Sequence, residues 1–283
     1  MAKQILSSMI LFLIGITLLL PALRATEGKA PYSDQVAVLM YHHVHDTDES
    51  SSTISSKLFE DQLTYLRDRG YKFISLEQFE QYMQGASVPD NAVFVTFDDG
   101  YESFYTHAYP ILTKHGIPAT NFVITDKHAN PQEYQPPFMS ADQIMTMTSA
   151  HPRMISAQCH TNGMHNDPVT PYMTNRIIVD GVRETEEQYR ERIVADTQAC
   201  IRTMTPLGPE KVNAMAYPYG VFDKLSAELV REAGIQYAFT IVPEMAKRSA
   251  SPLQIPRINA GNPNITPEVL VEKIRRRIQL NVP

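Results

Sequence analysis

The chain has 283 residues, of which 43% are apolar and 20% charged, and its formal net charge is -6 at pH 7. That length holds one large α/β domain or two small ones, and the composition of an ordinary globular protein excludes disorder and fibrous repeats. The Lys and Arg residues are scattered and build no basic stripe for phosphates, which excludes a nucleic-acid partner.

The N-terminus differs in kind from the rest. Lys3 precedes the apolar run Met9 to Leu20, and Pro21, Ala22 and Ala25 lead into the polar Thr26-Glu27-Gly28-Lys29. This is the layout of a secretory signal peptide cleaved after Ala25, although Leu23 stands where a small residue is usual. No charge interrupts Gln4 to Leu23, a stretch of roughly 20 residues, so an uncleaved membrane anchor fits as well. Both readings export the remainder of the chain, and they suit the extreme N-terminus better than a buried core helix does. Residues 26–35 then read as a short linker and 36–283 as one domain, with no internal repeat or dividing linker.

From Val36 onwards short strand-like runs alternate with helix-like ones. The strands are expected at Val36 to Tyr41, Lys72 to Ser75, Ala92 to Phe97, Ala119 to Ile124, Met154 to Gln158, Val212 to Ala216 and Tyr237 to Ile241. Ser75 with Gln78, and Ser140 with Gln143, fit capping boxes, while Thr266 before Pro267 fits an N-cap with proline in the first turn. Phe59, Leu63 and Leu66 mark one amphipathic helix, and Leu225, Leu229 and Val230 another. Repeated strand-helix units imply a parallel sheet covered by helices. About seven units suit a closed or partly closed (β/α) barrel better than an open doubly wound sheet, and no G-x-G-x-x-G follows any strand. Lys127 to Phe138 and Asn166 to Tyr172 break the rhythm and read as loops over the barrel mouth. The only cysteines, Cys159 and Cys200, form no disulfide scaffold; a single bridge between them fits an oxidising compartment but spacing does not establish it, and Cys159 at the end of an apolar run reads rather as a buried inert thiol.

Four motifs fall directly after strands, where barrels carry their chemistry. Asp98 and Asp99, within Thr96-Phe97-Asp98-Asp99-Gly100, place like charges side by side at a buried strand end. Such a pair needs a cation or a shared proton, against the plainer reading of an Asp-Gly turn. His160 and His165 are five apart, which no single helix face accommodates, but a loop through Gly163 aims both rings at one ion. Two histidines and a carboxylate make the ligand set of hydrolytic zinc sites. His42, His43 and His45 follow the first strand and are open to three readings: surface residues, a metal tract, or a general acid. Tyr217-Pro218-Tyr219-Gly220 is either a plain loop or a turn that points a backbone N–H at a developing oxyanion.

Taken in this order, the motifs resemble the polysaccharide deacetylase family, and most closely its circularly permuted branch that deacetylates poly-β-1,6-N-acetylglucosamine in biofilm matrices. The resemblance runs from Val38 to about Ile258. It includes Phe59 to Ser75, the extended Phe97-Asp98-Asp99-Gly100-Tyr101-Glu102-Ser103-Phe104 run and Ile255-Pro256-Arg257-Ile258. It implies a distorted (β/α) barrel and a divalent metal, zinc first, with cobalt or nickel as alternatives. Asp99, His160 and His165 are then the metal ligands, Asp98 the general base, His42 the general acid, and the Tyr219 backbone N–H the oxyanion donor.

The implied reaction is metal-dependent hydrolysis of N-acetyl groups on an exported polysaccharide. Proteins of exopolysaccharide synthesis or export would be its partners, and the membrane would be met only through an uncleaved N-terminus. Two departures stand out: the chain has no tryptophan, and Met215-Ala216 occupies the place where many relatives carry an arginine before the Tyr-Pro turn. No acid that would orient His42 is recognisable. Chitin oligomers and peptidoglycan are alternative substrates, and a non-catalytic glycan-binding module is the alternative class. A two-metal phosphodiesterase would want more acids, and a glycosidase would want opposed rather than adjacent carboxylates. Tyr101 and Tyr105 are candidates for stacking on sugar rings, whereas Tyr134 and Phe138 read as loop fillers.

Overall fold

Val36–Tyr41 (β1) and Ala92–Phe97 (β5) are runs of six residues, each buried throughout, and they pair in parallel along their whole length. Continuous burial of this kind marks strands covered on both faces. In the computed structural model, which describes residues 31–278, they belong to one wholly parallel sheet. The other strands are Lys72–Ile74 (β4), Ala119–Val123 (β6), Ile155–Cys159 (β7), Ala214–Ala216 (β10), Tyr237–Phe239 (β11) and Ile258–Asn259 (β12). Two-residue pairs complete the set: His43–Val44 (β2) with Thr53–Ile54 (β3), and Ile178–Val179 (β8) with Val182–Arg183 (β9).

Seven strands run in the order β11-β10-β7-β6-β5-β1-β12, and β4 joins β5 off that path. β4 pairs with Ala92 to Phe94 of β5 and β6 with Val95 to Phe97, so the two share successive stretches of one strand. The result is the distorted (β/α) half-barrel expected from the sequence. Each of the seven strands read from the sequence is present within about two residues of its expected ends; β12 is an eighth. The signal or anchor segment lies outside the described residues. Among those residues, no helix is long and apolar enough to cross a membrane.

Strand period two divides the core. Ala37, Leu39, Val93 and Val95 face the helices, where they meet Phe59, Leu63 and Leu66 of Ser56–Asp68 (α1). Val36, Val38, Ala92, Phe94, Phe122, Ala214, Ala216 and Phe239 face the other way into a second cluster, closed by Phe79 and Tyr82 of Leu76–Met83 (α2). The same parity continued upward carries β1 to His42, β5 to Asp98 and β7 to His160. The inner face is thus lined lower down by these apolar residues, with the buried polar Thr120, Ser156 and Gln158 among them, and is ionisable at its C-terminal rim.

The expected capping boxes at Ser75/Gln78 and Ser140/Gln143 are both made, the second opening Ala141–Ala150 (α4), and Thr266 caps Pro267–Arg275 (α7). Tyr109–His115 (α3) and Lys224–Glu232 (α6) are the remaining shorter helices. Glu186–Met204 (α5), opened by a third box from Thr185 and Gln188, is the longest helix among the described residues. The reading of Cys159 as a free thiol is overturned: it pairs with Cys200 of α5 in a disulfide, their Cα atoms 6.0 Å apart. Sequence spacing carries no information on that pairing because it depends on how α5 packs across β7.

Candidate active site

His42, Asp98, Asp99, His160, His165 and Tyr219 all line one cavity of about 850 Å³ at the C-terminal ends of the strands. Gln135 and Pro136 of the loop 127–138 form part of its rim, as expected for a segment over the mouth. Of the aromatic residues considered for sugar contact, Tyr101 lines the cavity, packed against Phe138 at 5.1 Å between ring centroids.

The backbone is bent sharply at the site. Asp99, Thr161 and Tyr219 adopt positive φ, at 73°, 71° and 57°. For a β-branched residue such as Thr161 this is costly, and such strain persists only where the surroundings hold it. Here the turn at Thr161 folds the chain so that His165 returns beside His160, their rings 5.0 Å apart.

Hydrogen bonds fix the tautomers of both histidines. His160 Nδ1 lies 2.8 Å from the Ala216 carbonyl, which only accepts, so Nδ1 carries the proton and Nε2 the lone pair. Tyr219 Oη donates to the Asn166 carbonyl at 3.2 Å and therefore accepts from His165 Nδ1, also at 3.2 Å. The two Nε2 atoms each stand 3.4 Å from Asp99 Oδ1, a buried oxygen with no hydrogen-bond partner. With both rings neutral these are three acceptors converging without a donor, an arrangement relieved either by a proton on His160, which the facing carboxylates favour, or by a metal ion in its place. Bonds of about 2.1 Å in a tetrahedral site place neighbouring ligand atoms roughly 3.4 Å apart, so the donor set and its spacing fit zinc or a similar divalent ion. Burial, then repulsion from His160, push His165 down to about 4, which keeps its imidazole neutral and able to ligate. Burial raises the Asp99 carboxyl, but the facing imidazoles bring it well below the usual range.

Asp98, the neighbouring acid, is engaged differently. Arg257 Nη1 donates to Oδ1 at 2.6 Å and Nη2 to Oδ2 at 2.7 Å, while Arg257 Nε donates to the Thr240 carbonyl. Burial pushes the Asp98 carboxyl up, and the guanidinium more than reverses this, leaving it below its ordinary value. Arg257 immediately precedes β12, so the partner of Asp98 comes from near the far end of the chain. Sequence reasoning singles out Ile255-Pro256-Arg257-Ile258 without revealing this contact. The available signal is a lone arginine in a buried apolar run, which demands a buried carboxylate. His42 Nε2 lies 3.9 Å from Asp98 Oδ2, so the carboxylate beside His42 is Asp98 itself.

The turn Pro218–Gly220 makes its short-range bonds from Gly220 N to Tyr217 O and from Val221 N to Pro218 O. The Tyr219 N–H stands one residue before them, at the start of the turn, where a donor has no intrahelical acceptor. Gly220 has φ +69°, and a Cβ there would lie 2.4 Å from Ile241 Cγ1, so the close approach of this turn to the cavity wall requires glycine.

His43, His45 and Asp48 form a second cluster of metal-ligating types. Its contacts are hydrogen bonds: His43 Nε2 to Asp48 Oδ2 at 3.0 Å, His43 Nδ1 to Ser103 Oγ at 2.7 Å, and the Asp48 N–H to His45 Nδ1 at 3.0 Å. His43 thus braces the rim loop that carries Asp48, Glu49 and Ser50. Of the three histidines near the first strand, His42 is the one that faces Asp98.

A family profile described as polysaccharide deacetylase matches residues 85–238, more than half of the chain. The poly-beta-1,6-N-acetyl-D-glucosamine N-deacetylase of Staphylococcus aureus strain MRSA252 is 26% identical over 206 residues, covering 73% of this chain and 67% of its own length. The Staphylococcus epidermidis protein of the same name is 24% identical over 215 residues, covering 74% and 68%. The solved structure of IcaB from Ammonifex degensii superposes with a TM-score of 0.69 at 28% identity, over 85% of this chain and 97% of that one. A de-N-acetylase from Aggregatibacter actinomycetemcomitans shares the fold with a TM-score of 0.75 at 22% identity, over 85% and 100%. With the half-barrel and its rim of ionisable residues, the match places the chain in the polysaccharide deacetylase family of enzymes.

Proposed function

We propose that this enzyme removes N-acetyl groups from N-acetylglucosamine units of poly-β-1,6-N-acetylglucosamine, using a divalent ion held by Asp99, His160 and His165. The observation that carries the reading is the convergence of three acceptors on one point beside a second carboxylate already neutralised by Arg257. The names of the staphylococcal relatives support the choice of polymer.

When bound, a zinc, cobalt or nickel ion supplies Lewis acidity toward an amide oxygen and lowers the pKa of a water. Asp98, ionised through its pairing with Arg257, accepts the proton of the attacking water. The Tyr219 N–H donates to the oxygen on which negative charge develops. His42, on the other side of Asp98, delivers a proton to the departing nitrogen. The C–N bond breaks, acetate leaves, and the sugar retains an amine that is protonated at neutral pH. The polymer becomes partly cationic and adheres better to anionic surfaces.

In this reading residues 1–25 are the export signal or anchor, 26–35 a linker and 36–283 the catalytic domain. The enzyme acts outside the cytoplasm, alongside the proteins that synthesise or export the polymer. The test is acetate release by the purified protein from β-1,6-linked N-acetylglucosamine oligomers and from chitin oligomers, each with and without chelator. Chelator-sensitive release from the β-1,6 series supports mechanism and substrate together. Release from chitin alone keeps the mechanism and overturns the substrate. No release from either, with metal bound, overturns the enzymatic assignment in favour of a glycan-binding module.

A further inference from the structure

The segment from His160 to His165 contains both imidazole ligands and one strained residue, and it is held from two sides. On one side, His160 N–H donates to the Val123 carbonyl at 2.8 Å, and the carbonyls of Thr161 and Asn162 accept from Thr125 and Asp126. On the other side stands α5. The Asn162 N–H donates to Asp196 Oδ1 at 2.8 Å and the Gly163 N–H to Asp196 Oδ2 at 2.7 Å. Four residues further along the same helix, Cys200 is bonded to Cys159, the residue directly before the first ligand. Positions i and i+4 share one helix face, so a single face of α5 grips the ligand loop twice, once covalently and once through two charge-assisted hydrogen bonds.

We propose that Asp196 and Cys200 are the positioning pair of the metal site, so that ion affinity is coupled to the Asp196 carboxylate and to the oxidation state of Cys159 and Cys200. The inference rests on the reading that Asp99, His160 and His165 hold the ion. Its physical basis is preorganisation: a loop that pays for the Thr161 conformation before the ion arrives presents both Nε2 atoms ready-aimed, and a loosened loop must be ordered by the ion itself. Reciprocity follows, because binding free energies are linked. If the disulfide tightens ion binding by some factor, the ion stabilises the disulfide against reduction by the same factor. An exported protein would then gain full metal affinity only after oxidation.

The experiment measures zinc affinity of the full-length protein by competition with a chromogenic chelator, and records the visible spectrum of the cobalt-loaded form. Variants are Asp196→Asn, Asp196→Ala and Cys159→Ala with Cys200→Ala, with Glu191→Ala on the exposed side of α5 as control. Asparagine keeps one acceptor and lowers affinity about 10-fold, and alanine keeps none and lowers it toward 100-fold. The cysteine pair variant loses about 10-fold and broadens the cobalt bands, while the control is unchanged. In parallel, the wild-type disulfide is equilibrated in glutathione redox buffers with and without zinc. The S–S bond takes up two electrons and two protons to give two thiols, and two glutathione thiols are oxidised to glutathione disulfide. A more reducing buffer is expected to be needed to open the disulfide with zinc bound, and this requires no variant to fold. Equal affinities in folded variants, or the same redox midpoint with and without zinc, overturn the proposal and leave the ligand assignment standing. A wild-type protein that binds no ion overturns the ligand assignment itself.

Discussion

Arg257 and Asp98 form a two-point ion pair in the barrel interior, with both oxygens of the carboxylate taken by one guanidinium and both side chains buried. Removing one member of such a pair costs about 3–5 kcal/mol, because the other charge is left without solvent or partner. Arg257→Ala is therefore expected to lose most of its stability margin. Arg257→Lys, which keeps the charge but not the fork, should fold and turn over at least 10-fold more slowly. Urea unfolding and steady-state kinetics of the lysine variant test this, and wild-type kcat in Arg257→Lys would remove Arg257 from the machinery.

The same pair sets a pH dependence. With the guanidinium present, the folded carboxyl lies below its unfolded value, near 3.9. Its contribution is then complete above that value and is lost as pH falls through the folded one. Without the guanidinium, burial is opposed only by His160 and His42, so the folded value moves up. An ionised Asp98 is then less favoured in the variant at neutral pH, and protonation removes that difference. The stability gap between wild type and Arg257→Met should be widest at pH 7 and narrow on acidification toward pH 4, as read from urea midpoints. A gap independent of pH would show that the two groups are not coupled.

The sequence made the strands legible because burial on both faces writes continuous apolar runs, and it made the rim legible because Asp98, His160 and His42 each follow such a run. The helix starts were legible through local capping pairs. α5 escaped because its boundaries rest on Thr185 and Gln188, after an irregular stretch, and its apolar face is sparse. Arg257 and Asp196 escaped for a different reason. Their partners lie 159 and 33 or 34 residues away, and only the closure of the half-barrel and the packing of α5 bring them together.

Gly220 should be nearly irreplaceable. Alanine there carries the cost of positive φ and also meets Ile241, whose Cγ1, Cγ2 and Cβ would lie at 2.4, 2.9 and 3.1 Å. Gly116 has a similar φ of +62° and nothing within 4 Å, so Gly116→Ala isolates the backbone term. That term is about 1 kcal/mol. Gly220→Ala should cost about 1–3 kcal/mol more, the usual range for overpacking, and depress kcat by shifting the Tyr219 N–H. Thermal denaturation of the two variants side by side gives the difference, and equal costs would mean that Ile241 yields freely.

In the proposed mechanism Tyr219 acts through its side chain as well as its backbone. Its hydroxyl links His165 Nδ1 to the Asn166 carbonyl and so holds Nε2 toward Asp99. Tyr219→Phe preserves the ring packed on His165 at 4.4 Å and removes only that link. Metal affinity should fall about 10-fold, with the apo protein as stable as wild type. Isothermal titration with zinc distinguishes this from a merely structural role, which would lower the apo melting temperature instead.

Asp98 and Asp99 are adjacent in the chain, yet their surroundings differ, and two substitutions should separate the tasks proposed for them. Asp99 Oδ1 faces two imidazoles and no donor, so His165→Ala removes one of three converging atoms and should abolish tight metal binding and activity together. Asp98 faces Arg257 and His42, outside that trio, so Asp98→Asn leaves the three converging atoms in place. It replaces a proton acceptor with an amide that cannot take a proton from water. Zinc should still bind to within a few-fold of wild type, while kcat falls by about 100-fold or more, the usual contribution of a general base. Metal content and acetate release measured on the same preparations decide between the roles. An active Asp98→Asn enzyme would transfer the base to another residue, whereas loss of metal in that variant would make Asp98 a ligand.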